Sequence, residues 1–544
     1  MTSTDESPAS GPAPSAALAG AAVEALLGVG VRHVVLAPGS RNAPLSFALY
    51  DAAQAGALTL HTRIDERTGA FLALGIAKTS RRPVAVVTTS GTAAANLHPA
   101  VMEAAHSGLP LVAVTADRPA RLRGTIANQT TDQVGLFGSA VLSSSDVVAA
   151  ADIAAGLAGL PDGPVHLNVQ LDEPLVGERK PISVPQDEAK SAGTASHAGT
   201  LQPGPRTVVV AGDDAGPVIR VLAERARWPL LAEPTSGSRN GECVIRCYRL
   251  LLGTPLADRI ERVVVAGHPT LSRPVQRLLA RDDVEVVSVR ARGRWPARPH
   301  PVRHEYDEVD AAEPDDPAWL EEWRAADRAL SGRLDDLVAA QPELTPYDVA
   351  AAVNAALPPR GLLHVGASNP IRDLDLMAKP YSVGERRLVI ANRGLAGIDG
   401  TLSTAIGATI GRPRTTRAIA YVGDVTFLHD LTGLVIGPGE QRPDLTIVVA
   451  NDDGGSIFAT LEQGAPEHAP AFDKLFGTPH GVDLASVCTG LRVPHWRVRS
   501  RDELIQALAN PNGGLEVVEA VVRRDNRRAL DEQIRALAAG LGEP

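Results

Sequence analysis

Apolar positions in this 544-residue chain fall into short uninterrupted runs set between longer Ala- and Leu-rich stretches. In the first third the runs are VRHVVLAP (31–38), PVAVVTTS (83–90) and PLVAVTAD (110–117). A continuous run, as opposed to an alternating one, marks a strand covered on both faces, as in a parallel sheet. The stretches between predict helices. One starts near Asp65 and carries Phe71, Leu72, Leu74, Gly75 and Ala77; another follows the SGT turn at 90–92. The pattern recurs in TVVVAG (207–212), RVVVAG (262–267) and VEVVSVR (284–290). It returns in GLLHVGAS (361–368), RLVIAN (387–392), RAIAYVGD (417–424), LTIVVAND (445–452) and LEVVEAVV (515–522).

Two interruptions divide this alternation: a polar Gly/Pro/Ser-rich stretch at 186–205, which reads as a linker, and a Pro- and Asp-rich segment at 299–316. Residues 1–16 lack periodicity and predict a disordered tail. The expectation is three consecutive doubly wound α/β domains with parallel sheets, at 17–185, 206–335 and 345–544, since domains run to about 100–200 residues.

Composition narrows the function classes. Hydrophobic content of 44% with 21% charged residues is that of a globular protein, and no apolar run is long enough for a membrane span. The N-terminus lacks the basic-then-apolar order of a signal peptide, which predicts a cytoplasmic protein. Three cysteines form no disulfide framework, and Cys243 and Cys247 have no second pair to complete a zinc site. A net charge of −10 without a basic stripe argues against nucleic acid as a partner.

The chemistry begins at two strand ends. RAIAYVGD closes on Gly423 and Asp424; LTIVVAND closes on Asn451 and Asp452, with Gly454 and Gly455 following. Open α/β sheets bind ligands beyond the carboxyl ends of their strands, where glycines admit the backbone to an anion. Mg²⁺ takes hard oxygen ligands and bridges one or two carboxylates to phosphates. The plainer alternative is that both acids cap strand-to-helix turns. At the other end of the chain, IDERTGAFLALGIAK (64–78) places Glu66 in the first turn of an apolar helix, a setting suited to proton transfer. There too, Asp65 and Glu66 could simply cap the helix.

The two strand ends resemble the GDG…NN motif of thiamine-diphosphate enzymes, and residues 34–45, 64–78 and 88–96 resemble their pyrimidine-binding domain. The resemblance implies three domains of that enzyme type and thiamine diphosphate bound with Mg²⁺ or Mn²⁺. The metal ligands carried over are Asp424, Asp452 and the Gly454 carbonyl. Val425 departs from the motif's Gly and Asp452 from its Asn, so Asn451 remains a rival ligand. Glu66 becomes the carboxyl that activates the cofactor. Ser90, Gly91, Ser368, Ile398, Gly423 and Gly455 become its further contacts, with Ile398 the wedge that keeps it bent.

PGSRNAP (38–44), TADRP (115–119), ANQT (127–130), GASNPIR (366–372) and NRGLAGIDG (392–400) are similar, in order, to segments of one branch. That branch is the 2-succinyl-5-enolpyruvyl-6-hydroxy-3-cyclohexene-1-carboxylate synthases of menaquinone biosynthesis. Its reaction is decarboxylation of 2-oxoglutarate and 1,4-addition of the resulting succinyl-semialdehyde carbanion to isochorismate. Arg41, Arg118, Arg372 and Arg393 all stand in Gly/Pro-punctuated turns, and arginine suits bidentate capture of carboxylates. The resemblance makes these four, with Arg273, Ser40, Asn128, Gln129 and Ser368, the substrate contacts. Ile457, Phe458 and Leu461 would line the pocket, although their spacing also suits a packed helix face. At least a homodimer is implied, with a tetramer as the alternative. The rival readings are an acetolactate-type synthase acting on pyruvate, or a non-catalytic binding protein on the same fold.

Overall fold

Every apolar run named above forms a strand in the computed structural model, which describes residues 14–179, 181–183, 197–294 and 297–539. The strands build three large parallel sheets and one of two strands, while packing groups the residues into two compact units.

The first unit contains β1 (His33–Leu36), β2 (Thr59–Thr62), β3 (Val84–Thr88), β4 (Leu111–Asp117), β5 (Ser143–Val147) and β6 (Val165–Gln170), in the order β2-β1-β3-β4-β6-β5. Successive side chains of a strand point to opposite faces. Val34 and Leu36 accordingly join a core with the helices Pro14–Gly28 and Ala43–Gln54. Val35 turns the other way, onto Gly69 of the helix Glu66–Ser80. That helix buries Thr68 through Lys78 continuously because residues 402–412, from late in the chain, pack within this unit. Gly75 and Gly407 make the crossing possible: a Cβ at either would stand 2.1 Å from the carbonyl of Thr404 or Leu72.

The second unit begins with β7 (Ala198–Leu201), which pairs with β13 (Glu308–Ala311). Between them lie β8 (Thr207–Ala211), β9 (Leu230–Ala232), β10 (Arg262–Ala266), β11 (Glu285–Val289) and β12 (His304–Tyr306), ordered β12-β11-β10-β8-β9. The last sheet comprises β14 (Leu362–Val365), β15 (Leu388–Ile390), β16 (Ala418–Gly423), β17 (Leu445–Asn451), β18 (His495–Val498) and β19 (Leu515–Val521). Its order is β15-β14-β16-β17-β19-β18. Trp319, Trp323, Leu330, Leu334 and Val338 of the helix Pro317–Ala339 join one continuous core that runs from Val208 and Val263 to Tyr347 and Leu363.

Two boundaries differ from the sequence expectation. The first helix starts at Pro14, inside the stretch assigned to a disordered tail. Proline suits a first turn, and Ser15 Oγ both donates to the Asp172 carbonyl and accepts from the Asp172 N–H. The expected linker at 186–205 is structured at 198–201, where β7 finds its partner 110 residues later in sequence; residues 184–196 and 1–13 lie outside the described residues. The three thiols are buried, which pushes Cys243 up to about 12 and Cys247 and Cys488 up to about 11, so they are poor nucleophiles. Among the described residues no helix is long and apolar enough to cross a membrane.

Candidate active site

In the second unit, β16 and β17 pair with Gly423 opposite Ala450, which brings the two strand ends together. Asp424, buried, accepts the Val425 N–H on Oδ1 at 2.7 Å and the Gly454 N–H on Oδ2 at 2.8 Å. Asn451 looks elsewhere: its Nδ2 donates to Glu519 Oε1 on β19 at 2.7 Å. Asp452 instead lines the cavity shared with Asp424. Burial, and then the charge of Asp424, push the Asp452 carboxyl up to about 7; Asp424 is also raised, chiefly by burial.

The turn that follows is fixed by crowding. Gly454 stands at φ +143, and a Cβ there would meet the Gly477 carbonyl at 2.1 Å; at Gly455 it would meet the Phe476 carbonyl at 2.5 Å. Gly455 N–H also donates to the Gly477 carbonyl at 2.7 Å. The segment reaching back includes a single π turn at Asp473–Gly477, a distortion common at functional sites.

The cavity has a volume of about 370 Å³. Of the residues singled out in sequence, Ser368, Arg372, Ile398, Gly423, Asp424, Asp452, Gly454, Gly455, Ile457 and Phe458 line it. Ser368 stands at φ +73, a left-handed conformation that a side chain adopts only under constraint. Arg372 donates to the Ser368 carbonyl at 2.7 Å. Burial and the neighbouring cations Arg393, Arg249 and Arg273 push it down to about 10. Arg393 is itself buried and donates to Thr270 Oγ1. It does not line the cavity, nor do Arg273 and Leu461. Arg273 pairs with Glu462 at 2.9 Å, both well exposed.

In the first unit a second cluster forms beyond β3. Gly91, at φ +78, donates its N–H to Gln133 Oε1 at 2.8 Å. Ser90 Oγ donates to the Gln129 carbonyl, Gln129 Nε2 donates to the Ser90 carbonyl, and Arg118 reaches Ser90 Oγ and the Gln129 carbonyl at 2.7 Å each. Burial and the nearby charge of Arg41 lower the Arg118 pKa. Ser40 and Asn128 are exposed, and Arg41 donates to the Leu171 carbonyl. Asp65, not Glu66, caps its helix, accepting from the Arg67 and Thr68 N–H groups. Capping therefore leaves the Glu66 carboxyl unassigned. The burial anticipated for Glu66 is only partial in this chain, since it begins the helix two residues before the continuously covered stretch.

The Ser90–Gly91 cluster falls within one segment matched by family models, and the cavity's two acids and glycine turn fall within another, with Ser368 and Arg372 just before it. Residues 17–136 match the N-terminal TPP binding domain of thiamine pyrophosphate enzymes, and residues 375–518 their C-terminal TPP binding domain. A 2-succinyl-5-enolpyruvyl-6-hydroxy-3-cyclohexene-1-carboxylate synthase of a Nocardioides species is 63% identical over 99% of this chain and 100% of its own length. The chain belongs to this synthase family. Synthases of the same name from Kineococcus radiotolerans and Saccharopolyspora erythraea are each 45% identical. They cover 96% and 97% of this chain, and 98% and 99% of their own lengths. Membership in the synthase family makes the chain a thiamine-diphosphate-dependent transferase, built of the parallel-sheet domains described above.

Three residues beside these clusters escaped the sequence. Gln133 and Arg249 sit in stretches with no motif, and His480 lies within FGTPHG (476–481), where only the density of Gly, Pro and Thr marks a loop. Arg249, from the helix Tyr248–Leu251, donates to the Arg372 carbonyl and to buried Asp375, and so lies directly behind Arg372.

Proposed function

We propose that this synthase decarboxylates 2-oxoglutarate and joins the remaining four-carbon semialdehyde unit to isochorismate, the carboligation step of menaquinone biosynthesis. One observation carries the reading: a buried and a half-buried carboxyl, a glycine turn and an arginine held among other arginines share one cavity.

The donor set fits a hard divalent cation. Asp424 and Asp452 repel each other when both ionise, which a cation between them would reverse, and the Gly454 carbonyl supplies a third oxygen. These three would hold Mg²⁺ or Mn²⁺ against the diphosphate, with Gly423 and Gly455 giving the backbone access. Thiamine diphosphate, when bound, supplies the carbanion chemistry. Glu66 exchanges a proton with its aminopyrimidine ring, and Ser90, Gly91, Ser368 and Ile398 orient it. Arg372, repelled by its neighbours, gains most from a carboxylate, and Arg41, Arg118, Arg273 and Arg393 serve the same dicarboxylate substrates. Ser40, Asn128 and Gln129 add polar contacts; Ile457, Phe458 and Leu461 keep water out. The working form is a homodimer, or a tetramer built from two, in the cytoplasm.

The test is isochorismate consumption by the purified chain with thiamine diphosphate, Mg²⁺ and 2-oxoglutarate. Loss with 2-oxoglutarate but not with pyruvate, abolished roughly 100-fold or more in Glu66→Gln, is the expected outcome. Consumption unchanged in Glu66→Gln, or activity on pyruvate alone, overturns it.

A further inference from the structure

The residues around Asp424 carry one step more. A carboxylate offers about four lone-pair directions to donors or cations. Three are taken: the Val425 N–H on Oδ1, and on Oδ2 the Gly454 N–H and His480 Nε2, the last at 3.0 Å. One direction remains, on Oδ1.

The tautomer of His480 is fixed from its other side. Val482 N–H donates to His480 Nδ1 at 3.0 Å. A backbone N–H cannot accept, so Nδ1 serves as its acceptor, with Asp453 Oδ1 farther off at 3.4 Å, and the proton of the neutral ring is assigned to Nε2, where it is donated to Asp424. The ring is placed by Asp453, whose Oδ1 accepts the backbone N–H of His480 at 3.1 Å and of Gly481 at 2.8 Å. Asp453 adopts φ +58 to do so, and Arg524 donates to its carbonyl at 3.0 Å. The residue between the two acids of the cavity and the glycine turn thus clasps the segment that delivers the imidazole.

We propose that His480 is a positioning residue for the divalent cation: it locks the Asp424 carboxylate in rotation so that the free lone pair on Oδ1 faces the metal. This rests on the assignment of Asp424 as a metal ligand. Outer hydrogen bonds to ligating groups commonly change metal affinity by about 10- to 100-fold.

The experiment titrates Mg²⁺ into the full-length chain at fixed thiamine diphosphate and follows binding by calorimetry, with circular dichroism in chelator as a control for folding. His480→Ala raises the Mg²⁺ dissociation constant by about 10- to 100-fold. His480→Gln, which keeps an N–H donor, recovers most of that loss, and KM for 2-oxoglutarate at saturating Mg²⁺ stays at the parent value. Equal Mg²⁺ affinity in the parent and both variants, or tighter binding in His480→Ala, overturns the proposal. Asp424→Asn separates the two levels. If it abolishes Mg²⁺ binding while His480→Ala does not, only the role of His480 fails; if it too binds like the parent, the metal assignment itself fails.

Discussion

The glycine turn after Asp452 and the glycine turn after β3 present backbone to the same cofactor in the proposed function, yet different forces hold them. At Gly454 and Gly455 the restraint is steric, because carbonyls of the segment 476–477 occupy the space where a Cβ would be. At Ser90 and Gly91 the restraint is a buried polar network. Gln133, fully covered, accepts from Gly91 N–H and donates to the Ala116 carbonyl and Asn168 Oδ1. Asn168 in turn donates to Asp117 and Asp146, which Arg123 bridges. A steric restraint fails all at once when atoms are added. A network fails by degrees, according to which donor or acceptor loses its partner.

The sharpest way to break this contrast is Gly454→Ala. Its methyl would lie 2.1 Å from a carbonyl oxygen that belongs to backbone, so the turn must move and carry the metal oxygens with it. We expect a loss of turnover on the order of 100-fold or more, accompanied by weaker Mg²⁺ binding of similar size. Gly490→Ala, at the end of the helix Leu484–Gly490, is the control: it lies outside the cavity and a Cβ there would meet nothing within 4 Å. It should bind Mg²⁺ as the parent does. Equal damage in both variants would mean that loss of glycine, and not crowding, is what matters.

The network should respond more mildly. Gln133→Leu keeps the volume but strands the Gly91 N–H and the acceptors at Ala116 and Asn168. Each buried group left without a partner costs about 1–3 kcal/mol. The expected result is a lower melting temperature and weaker thiamine diphosphate binding, with Mg²⁺ affinity in the presence of saturating cofactor retained. A variant that melts like the parent would show that water replaces the glutamine at no cost.

The same contrast explains what could be read from sequence. The steric half was legible, because Gly454, Gly455 and the acids before them close strands that are apolar throughout. The strand β6, between β4 and the edge strand β5 of the first sheet, went unpredicted because VHLNVQ interrupts its apolar run with His166 and Asn168, the residues that carry the network. Functional positions tend to break local pattern in this way. The choice between Asn451 and Asp452 was open in sequence because it depends on Glu519, 68 positions later on β19, which takes the Asn451 amide. His480 lies 56 positions beyond Asp424 in a loop, and no periodicity announces a contact of that range. Glu66 was singled out by its helix, but its exposure depends on which residues pack against that helix, and those come from 402–412.

A smaller effect probes the network from its base, where a buried histidine stands. His166 is fully buried, with Nε2 2.8 Å from Thr115 Oγ1 and its ring edge-on to Phe137. Burial pushes its pKa down to about 4 from an ordinary 6.5. Between those values the unfolded chain binds a proton that the folded chain refuses. The contribution of His166 to stability is therefore complete above pH 6.5 and is lost as pH falls toward 4, by at most about 1.4 kcal/mol per pH unit. His166→Gln cannot titrate. It should melt somewhat below the parent at pH 7.5, through lost packing on Phe137, and the gap should close as the solution is acidified to pH 4.5. Thermal melts of both proteins across that range, compared as differences so that other acids cancel, check it. A gap that stays constant would place the acid sensitivity of the first unit outside the network that holds Gly91.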